Sequence, residues 1–292
     1  MTNRFFKKLN DVYPSLSKGH KKIADYISEN YDKAAFMIAA KLGETVGVSE
    51  STVVRFATVL GYAGYPELQR HLQEMIRSKL TSVQRMEVSN VRIDEVDVLD
   101  KALEADISMI RSTLEQTSRM DFSESVKEIN KARRIYVLGV RSSASLASFM
   151  VFYLKIIFDD VVLIDTSSAS EMFEHLFRIS KEDVCIAISF PRYSRQTVNA
   201  LCFAKNRGAT IISITDSKLS PIAPLADHLL VARSNMVSFV DSLVAPLSLI
   251  NALIAASARS RKDDVYQNLQ TLESIWEEYK VYDNNVEEDE GK

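Results

Sequence analysis

The second half of the chain alternates five short apolar runs with longer helical patterns, and few folds accept that alternation. The runs cover residues 135–139, 161–164, 184–189, 210–215 and 228–231. Each is continuously apolar and rich in β-branched residues, which predicts strands covered on both faces and hence a parallel sheet. The helical segments between them supply the covering layers, giving a doubly wound α/β domain. In such a sheet, ligands bind beyond the carboxyl ends of the strands. The loops that follow the runs are therefore where chemistry is expected.

Two of these loops are distinctive. The first run ends in Gly139-Val140-Arg141-Ser142-Ser143 and opens a helix. The third ends in Ser189-Phe190-Pro191-Arg192-Tyr193-Ser194-Arg195-Gln196-Thr197 and opens another. Neither carries GxGxxG or a Walker A lysine, which argues against a dinucleotide or a nucleoside triphosphate. Hydroxyls and free N–H groups at a helix N-terminus suit an anion, and guanidinium forks match phosphate. The candidate ligand residues are Arg141, Ser142, Ser143, Ser189, Arg192, Ser194 and Thr197. Either loop alone reads as well as a pair of capped helices; the two together favour an anion site.

Other chemistry finds no support in the pattern. His175 and His228 are isolated from any nucleophile and acid pair, and Glu171 and Glu174 read as solvated helix positions, so no catalytic residues are assigned. Cys185 lies inside an apolar run as a core residue, and with Cys202 it forms neither a disulfide framework nor a metal site. No cofactor is expected. The N-terminal Met1 to Lys8 has no apolar segment after its lysines, and the most apolar stretch, 243–256, is short and interrupted by Pro246, Ser248 and Asn251. These features predict a cytoplasmic protein with neither export signal nor membrane span.

The first part of the chain is different in kind. Residues 1–79 hold twelve Lys/Arg against eight Asp/Glu, whereas the remainder holds 24 against 31. A basic domain on an acidic body fits a polyanionic partner for the first part alone. Leu16, His20, Ile23, Ala24 and Ile27 share one helical stripe, with Ser15 or Ser17 as its cap. Two short helical patterns, 38–46 and 50–60, then flank Gly47, where a left-handed residue is expected. Ser49 is placed to cap the second, and Glu50 meets its positive end. Gly43 is small enough to let the two helices approach. Val53, Phe56, Ala57 and Leu60 make the buried face of the second helix, leaving Ser51, Thr52, Arg55 and Thr58 outside. The pattern predicts an all-α helix-turn-helix whose second helix enters a major groove; the alternative is an ordinary helical hairpin with a solvated polar face, which the basic excess disfavours. Its candidate DNA contacts are Ser49, Glu50, Ser51, Thr52, Arg55 and Thr58, with Arg55 on a guanine or a phosphate. A further helix starts near Pro66 and fades near Lys79.

At these residues the chain resembles the RpiR-like family of bacterial regulators, which join a helix-turn-helix to a sugar-isomerase (SIS) domain. The resemblance is carried by Gly47-Val48-Ser49-Glu50-Ser51-Thr52-Val53-Val54-Arg55-Phe56 with Leu60-Gly61-Tyr62, by Ala187-Ile188-Ser189 with Ser194 and Thr197, and by 212–215 with Ser220-Pro221-Ile222-Ala223 and Ala226-Asp227. It implies operator DNA as partner, a homodimer or homotetramer, and a sugar phosphate held by Ser142, Ser143, Ser189, Ser194 and Thr197. The chain departs from the family where Arg141 replaces a usual glycine, where Pro191 and Arg192 replace a usual serine-glycine, and where Leu243 replaces a frequent arginine. The expected organisation is a helix-turn-helix domain over 1–79, a linker over 80–94, an α/β SIS-like domain with a five-stranded parallel sheet over 95–282, and an acidic tail over 283–292. Two rival readings stay open: a phosphosugar isomerase, and a regulator whose SIS domain serves only oligomerisation.

Overall fold

A computed structural model describes residues 2–77, 98–235 and 240–282. The expected linker and acidic tail lie outside the described residues. The chain divides into two compact units, and each is taken by itself.

The first is helical. It contains α1 (Thr2–Val12), α2 (Lys18–Glu29), the single turn α3 (Tyr31–Ala34), α4 (Ala39–Val46), α5 (Glu50–Val59) and α6 (Tyr65–Arg77). One apolar cluster joins them, with Leu9, Ile23, Ile27, Leu42, Val53, Phe56, Leu68 and Leu72 all buried. Ser17, not Ser15, caps α2 by accepting the His20 N–H; the Ser15 hydroxyl donates to the Val12 carbonyl instead. The connector before α4 leaves backbone carbonyls that no helix satisfies. Side chains of α6 reach them: Tyr65 and Gln69 both donate to the Met37 carbonyl, at 2.7 and 2.8 Å, and Gln73 donates to that of Ala35 at 2.8 Å. Buried backbone acceptors are costly when unpaired, so α6 fixes the entry to the helix-turn-helix. Burial raises the Tyr65 phenol well above its ordinary pKa and keeps it a donor.

The second unit carries β1 (Ile135–Gly139), β2 (Val161–Ile164), β3 (Val184–Ile188), β4 (Thr210–Thr215) and β5 (His228–Val231). All pairs are parallel and the order is β2-β1-β3-β4-β5. The helix α7 (Val98–Gln116) passes from the first unit into this one at Asp106. Around the sheet run α8 (Arg119–Lys131), α9 (Ser142–Ile157), α10 (Ala169–Leu176), α11 (Arg195–Asn206), α12 (Val244–Ser260) and α13 (Lys262–Glu278). The strands feed two separate cores. Ile135, Val137, Ile186, Ile188, Ile212 and Ile214 pack with α8, α9 and α12. Their alternate neighbours Tyr136, Leu138, Cys185, Ala187 and Ile211 pack with α10 and α11. Side chains of successive strand residues point to opposite faces, so a run apolar at every position is what two covered faces require.

Candidate functional site: an outward helix and a strand-edge anion cradle

The helix-turn-helix is built as its sequence demands. Gly47 takes φ 71° and ψ 47°, the left-handed conformation that ends α4. A Cβ on Gly43 would stand 2.8 Å from the Val48 carbonyl oxygen, so only glycine permits this approach of the turn to α4. Ser49 caps α5 by accepting the Thr52 N–H at 3.3 Å, and its Oγ lies 2.8 Å from Thr52 Oγ1 and 3.0 Å from Ser51 Oγ. Glu50, Ser51, Arg55 and Thr58 are exposed. Arg55 Nε donates to the Ser51 carbonyl at 3.2 Å, which steadies the guanidinium along the helix while its remaining N–H groups stay unengaged among the described residues. Thr52 is a correction to the expected outward face. It is half-buried, its hydroxyl belongs to the cap cluster, and its methyl lies over Gly19 of α2. Val54, an exposed apolar residue beside Arg55, was not anticipated; its exposure on a polar face suits contact with a thymine methyl.

In the sheet, β1 connects outward to β2, and the chain then returns past β1 to β3, so the strand order reverses between β1 and β3. That reversal is the switch point at which open α/β sheets hold ligands. Gly139 and Ile188 are registered partners there, which sets the two hydroxyl-bearing loops side by side. A Cβ on Gly139 would stand 2.5 Å from the Ser143 carbonyl oxygen and 2.9 Å from Ala147 Cβ. The absence of a side chain lets α9 start directly on the strand end.

The loops place their residues unequally. Arg141 is the residue before α9 and holds φ 57° with ψ −127°, a combination that non-glycine residues rarely adopt. Ser142 and Ser143 are the first two residues of α9, and Ser143 is buried. Ser189 is buried at the end of β3; its N–H donates to the Ile214 carbonyl and its own carbonyl accepts from Thr215 Oγ1 at 2.7 Å. Ser194 is the cap residue of α11, and Thr197 stands in the first turn, fully buried. Arg192 is exposed in the same loop, two residues before Ser194.

Ser17, Ser49, Ser118 and Ser168 each accept the backbone N–H three residues on. Ser194 has nearly the backbone geometry of Ser168, at φ −82° and ψ 128° against −79° and 124°, yet its hydroxyl caps nothing. The Thr197 hydroxyl is buried with no hydrogen-bond partner. An unsatisfied buried hydroxyl costs about 1–3 kcal/mol, which a bound acceptor would recover.

Two neighbours were missed from sequence. Asp216 is buried just past β4, and Thr215 Oγ1 lies 3.3 Å from its Oδ1. Arg233, just past β5, donates from its guanidinium to the Asp216 carbonyl at 3.3 Å and from its backbone to Thr113 Oγ1 at 2.8 Å. The signal available was only their position beyond strand ends. Among the described residues no cluster of three or more His, Cys, Asp or Glu side chains is poised for a metal, and no helix is long and apolar enough to cross a membrane. Burial pushes the Cys185 thiol up to about 12.

Known proteins align with both halves. Residues 4–79 match the helix-turn-helix domain of the rpiR family, and residues 128–256 match the SIS domain. An uncharacterized HTH-type transcriptional regulator of Haemophilus influenzae is 27% identical over 93% of this chain and 96% of its own length. The sugar isomerase domain of an RpiR transcription factor from Sphaerobacter thermophilus is 30% identical, covering 59% of this chain and 96% of that one, with a TM-score of 0.57. The Vibrio vulnificus NanR protein, solved in complex with ManNAc-6P, is 20% identical over 96% of this chain and all of that one, with a TM-score of 0.57. At that identity the likeness speaks to fold.

Proposed function

From the premise that this chain belongs to the rpiR family of helix-turn-helix transcriptional regulators with a SIS domain, we propose that α5 reads operator DNA and that the β1–β3 edge holds a phosphorylated sugar. The reading is carried by the hydroxyls of that edge that cap nothing, above all the buried, unpartnered Thr197 and the idle Ser194. The relative that binds a phosphosugar, NanR with ManNAc-6P, supports the class of ligand.

In this reading residues 1–79 form the DNA-reading part and 95–282 the sensing part of a cytoplasmic protein. Effector binding favours one arrangement of paired reading helices over another, and so changes the fit to two operator half-sites. The pairing draws on α7, where Leu99, Leu103, Ile107, Ile110 and Leu114 are exposed along one helix; exposed apolar stripes of this kind mark contacts with other chains. The protein acts by binding, not turnover.

The test is a thermal-shift panel of sugar phosphates, amino-sugar phosphates and their unphosphorylated forms. A ligand of the native state raises Tm by mass action. The expected result is a phosphate-dependent rise that Ser194→Ala removes. No shift with any phosphorylated sugar would falsify the sensing role, and sustained conversion of an aldose phosphate to a ketose phosphate would overturn the non-enzymatic one.

A further inference from the structure

Arg141 and Arg195 break two local rules at the same edge of the sheet. Arg141 precedes α9 and Arg195 is the first residue of α11, so each puts a positive charge on the positive end of a helix. Both helices are long enough for their dipoles to matter, and a cation there is unfavourable where an anion is favoured. Arg141 also holds a backbone conformation suited to glycine. Both side chains are exposed, and neither has an ion pair or hydrogen bond among the described residues. The acids that follow the flanking strands, Asp165 and Glu171 after β2 and Asp216 after β4, form no ion pair with either arginine among the described residues. The same two loops, which follow the paired strands β1 and β3, carry Ser143, Ser189, Ser194 and Thr197, with the Thr197 hydroxyl buried and unpartnered.

A single phosphate group is already accounted for by the hydroxyls and N–H groups of one such cradle. The surplus is two guanidinium groups, each fit to clasp a planar or tetrahedral anion, on two loops that start from adjacent strands. Local rules are broken in proteins chiefly where function compensates for it. Resting on the sensing site proposed above, we infer that the effector carries two anionic groups, a phosphate plus a carboxylate or a second phosphate. Arg141 and Arg195 are the residues that set this preference. The hydroxyls hold one anionic group and the arginines the other, so a sugar monophosphate occupies the cradle without engaging the guanidinium pair.

The experiment is calorimetric titration of the full chain with inorganic phosphate, glucose 6-phosphate, 6-phosphogluconate and fructose 1,6-bisphosphate. Wild type, Arg141→Gly, Arg141→Lys, Arg195→Gln and Thr197→Val are compared at fixed ionic strength. At least one of the two doubly anionic probes is expected to bind tenfold or more tightly than glucose 6-phosphate. Arg141→Gly and Arg195→Gln should each shrink that ratio to within about threefold, and Arg141→Lys should keep part of it. Thr197→Val should weaken every probe alike. Equal affinity for glucose 6-phosphate and both doubly anionic probes, or a ratio untouched by the arginine variants, keeps the site and overturns the two-anion reading. Binding of none of the four overturns the site and this inference together.

Discussion

Thr197, Arg141 and Cys185 each give a measurement at the scale of one side chain. Replacing Thr197 by valine removes a buried hydroxyl that has no partner, so the ligand-free protein should keep its stability or gain up to about 1 kcal/mol. A thermal melt without ligand checks this, and a loss exceeding about 1 kcal/mol would mean the hydroxyl is satisfied. Arg141→Gly removes the cost of a positive φ at a residue with a Cβ and should stabilise by about 1 kcal/mol, raising Tm by roughly 2–4 °C. An unchanged or lowered Tm would show that the backbone there is not strained. The two cysteines offer an internal contrast. Cys185 is buried between strands and its thiol is pushed up to about 12, while Cys202 is exposed on α11. The reactive species is the thiolate, so a disulfide reagent at pH 8 should modify one thiol per native chain quickly and the second only on unfolding.

Between elements, the close approach of α4 and α5 rests on Gly43, where a Cβ would meet the Val48 carbonyl. Gly43→Val should therefore destabilise the helical unit by about 1–3 kcal/mol and abolish operator binding, while phosphosugar binding by the sheet unit persists. Loss of both activities would show that the substitution is not confined to the helical unit. Elements of this kind were largely legible in the sequence, for identifiable reasons. All five strands were readable because two covered faces make each strand apolar at every position; only Ser189 passed from strand to loop. Gly47 and Ser49 marked the helix-turn-helix because each position needs a residue type that little else supplies. In contrast, α3 is one turn long and has no periodicity to detect, and α1 carries its Phe5, Leu9 and Val12 stripe among lysines. The site was half legible. Hydroxyl loops at strand ends declare themselves locally, but Arg233 joins the edge through Thr113, 120 residues away, and Thr52 is half-buried with its methyl beside Gly19 on another helix. Neither fact has a local signature.

For the molecule as a whole, the proposed function links DNA recognition to self-association. Arg55→Ala should weaken operator binding by about 1–3 kcal/mol and leave Tm unchanged, since among the described residues the side chain hydrogen-bonds only the carbonyl one turn before it. Unaltered affinity would remove Arg55 from the reading face. Paired reading helices imply half-sites about 34 Å apart or a multiple of that spacing. The α7 stripe implies that charging it, as in Ile107→Glu, shifts the protein toward smaller species in sedimentation and weakens operator binding in parallel. A variant that dissociates yet binds operator as before would separate the two properties.

The strand order carries one more consequence, in time rather than affinity. β1 and β3 pair side by side, but α9, β2 and α10 lie between them in the chain. Contacts between sequence-distant segments bear the loop-closure cost and slow folding. The hydroxyl cradle exists only once that pairing has closed, so contacts with an effector belong after the folding barrier. Interactions absent from the transition state slow unfolding and leave refolding nearly untouched. A bound effector should thus lower the unfolding arm of a denaturant chevron and spare the refolding arm. Under the proposed function, the metabolite that sets the regulator's grip on DNA would then also set how long each folded copy lasts.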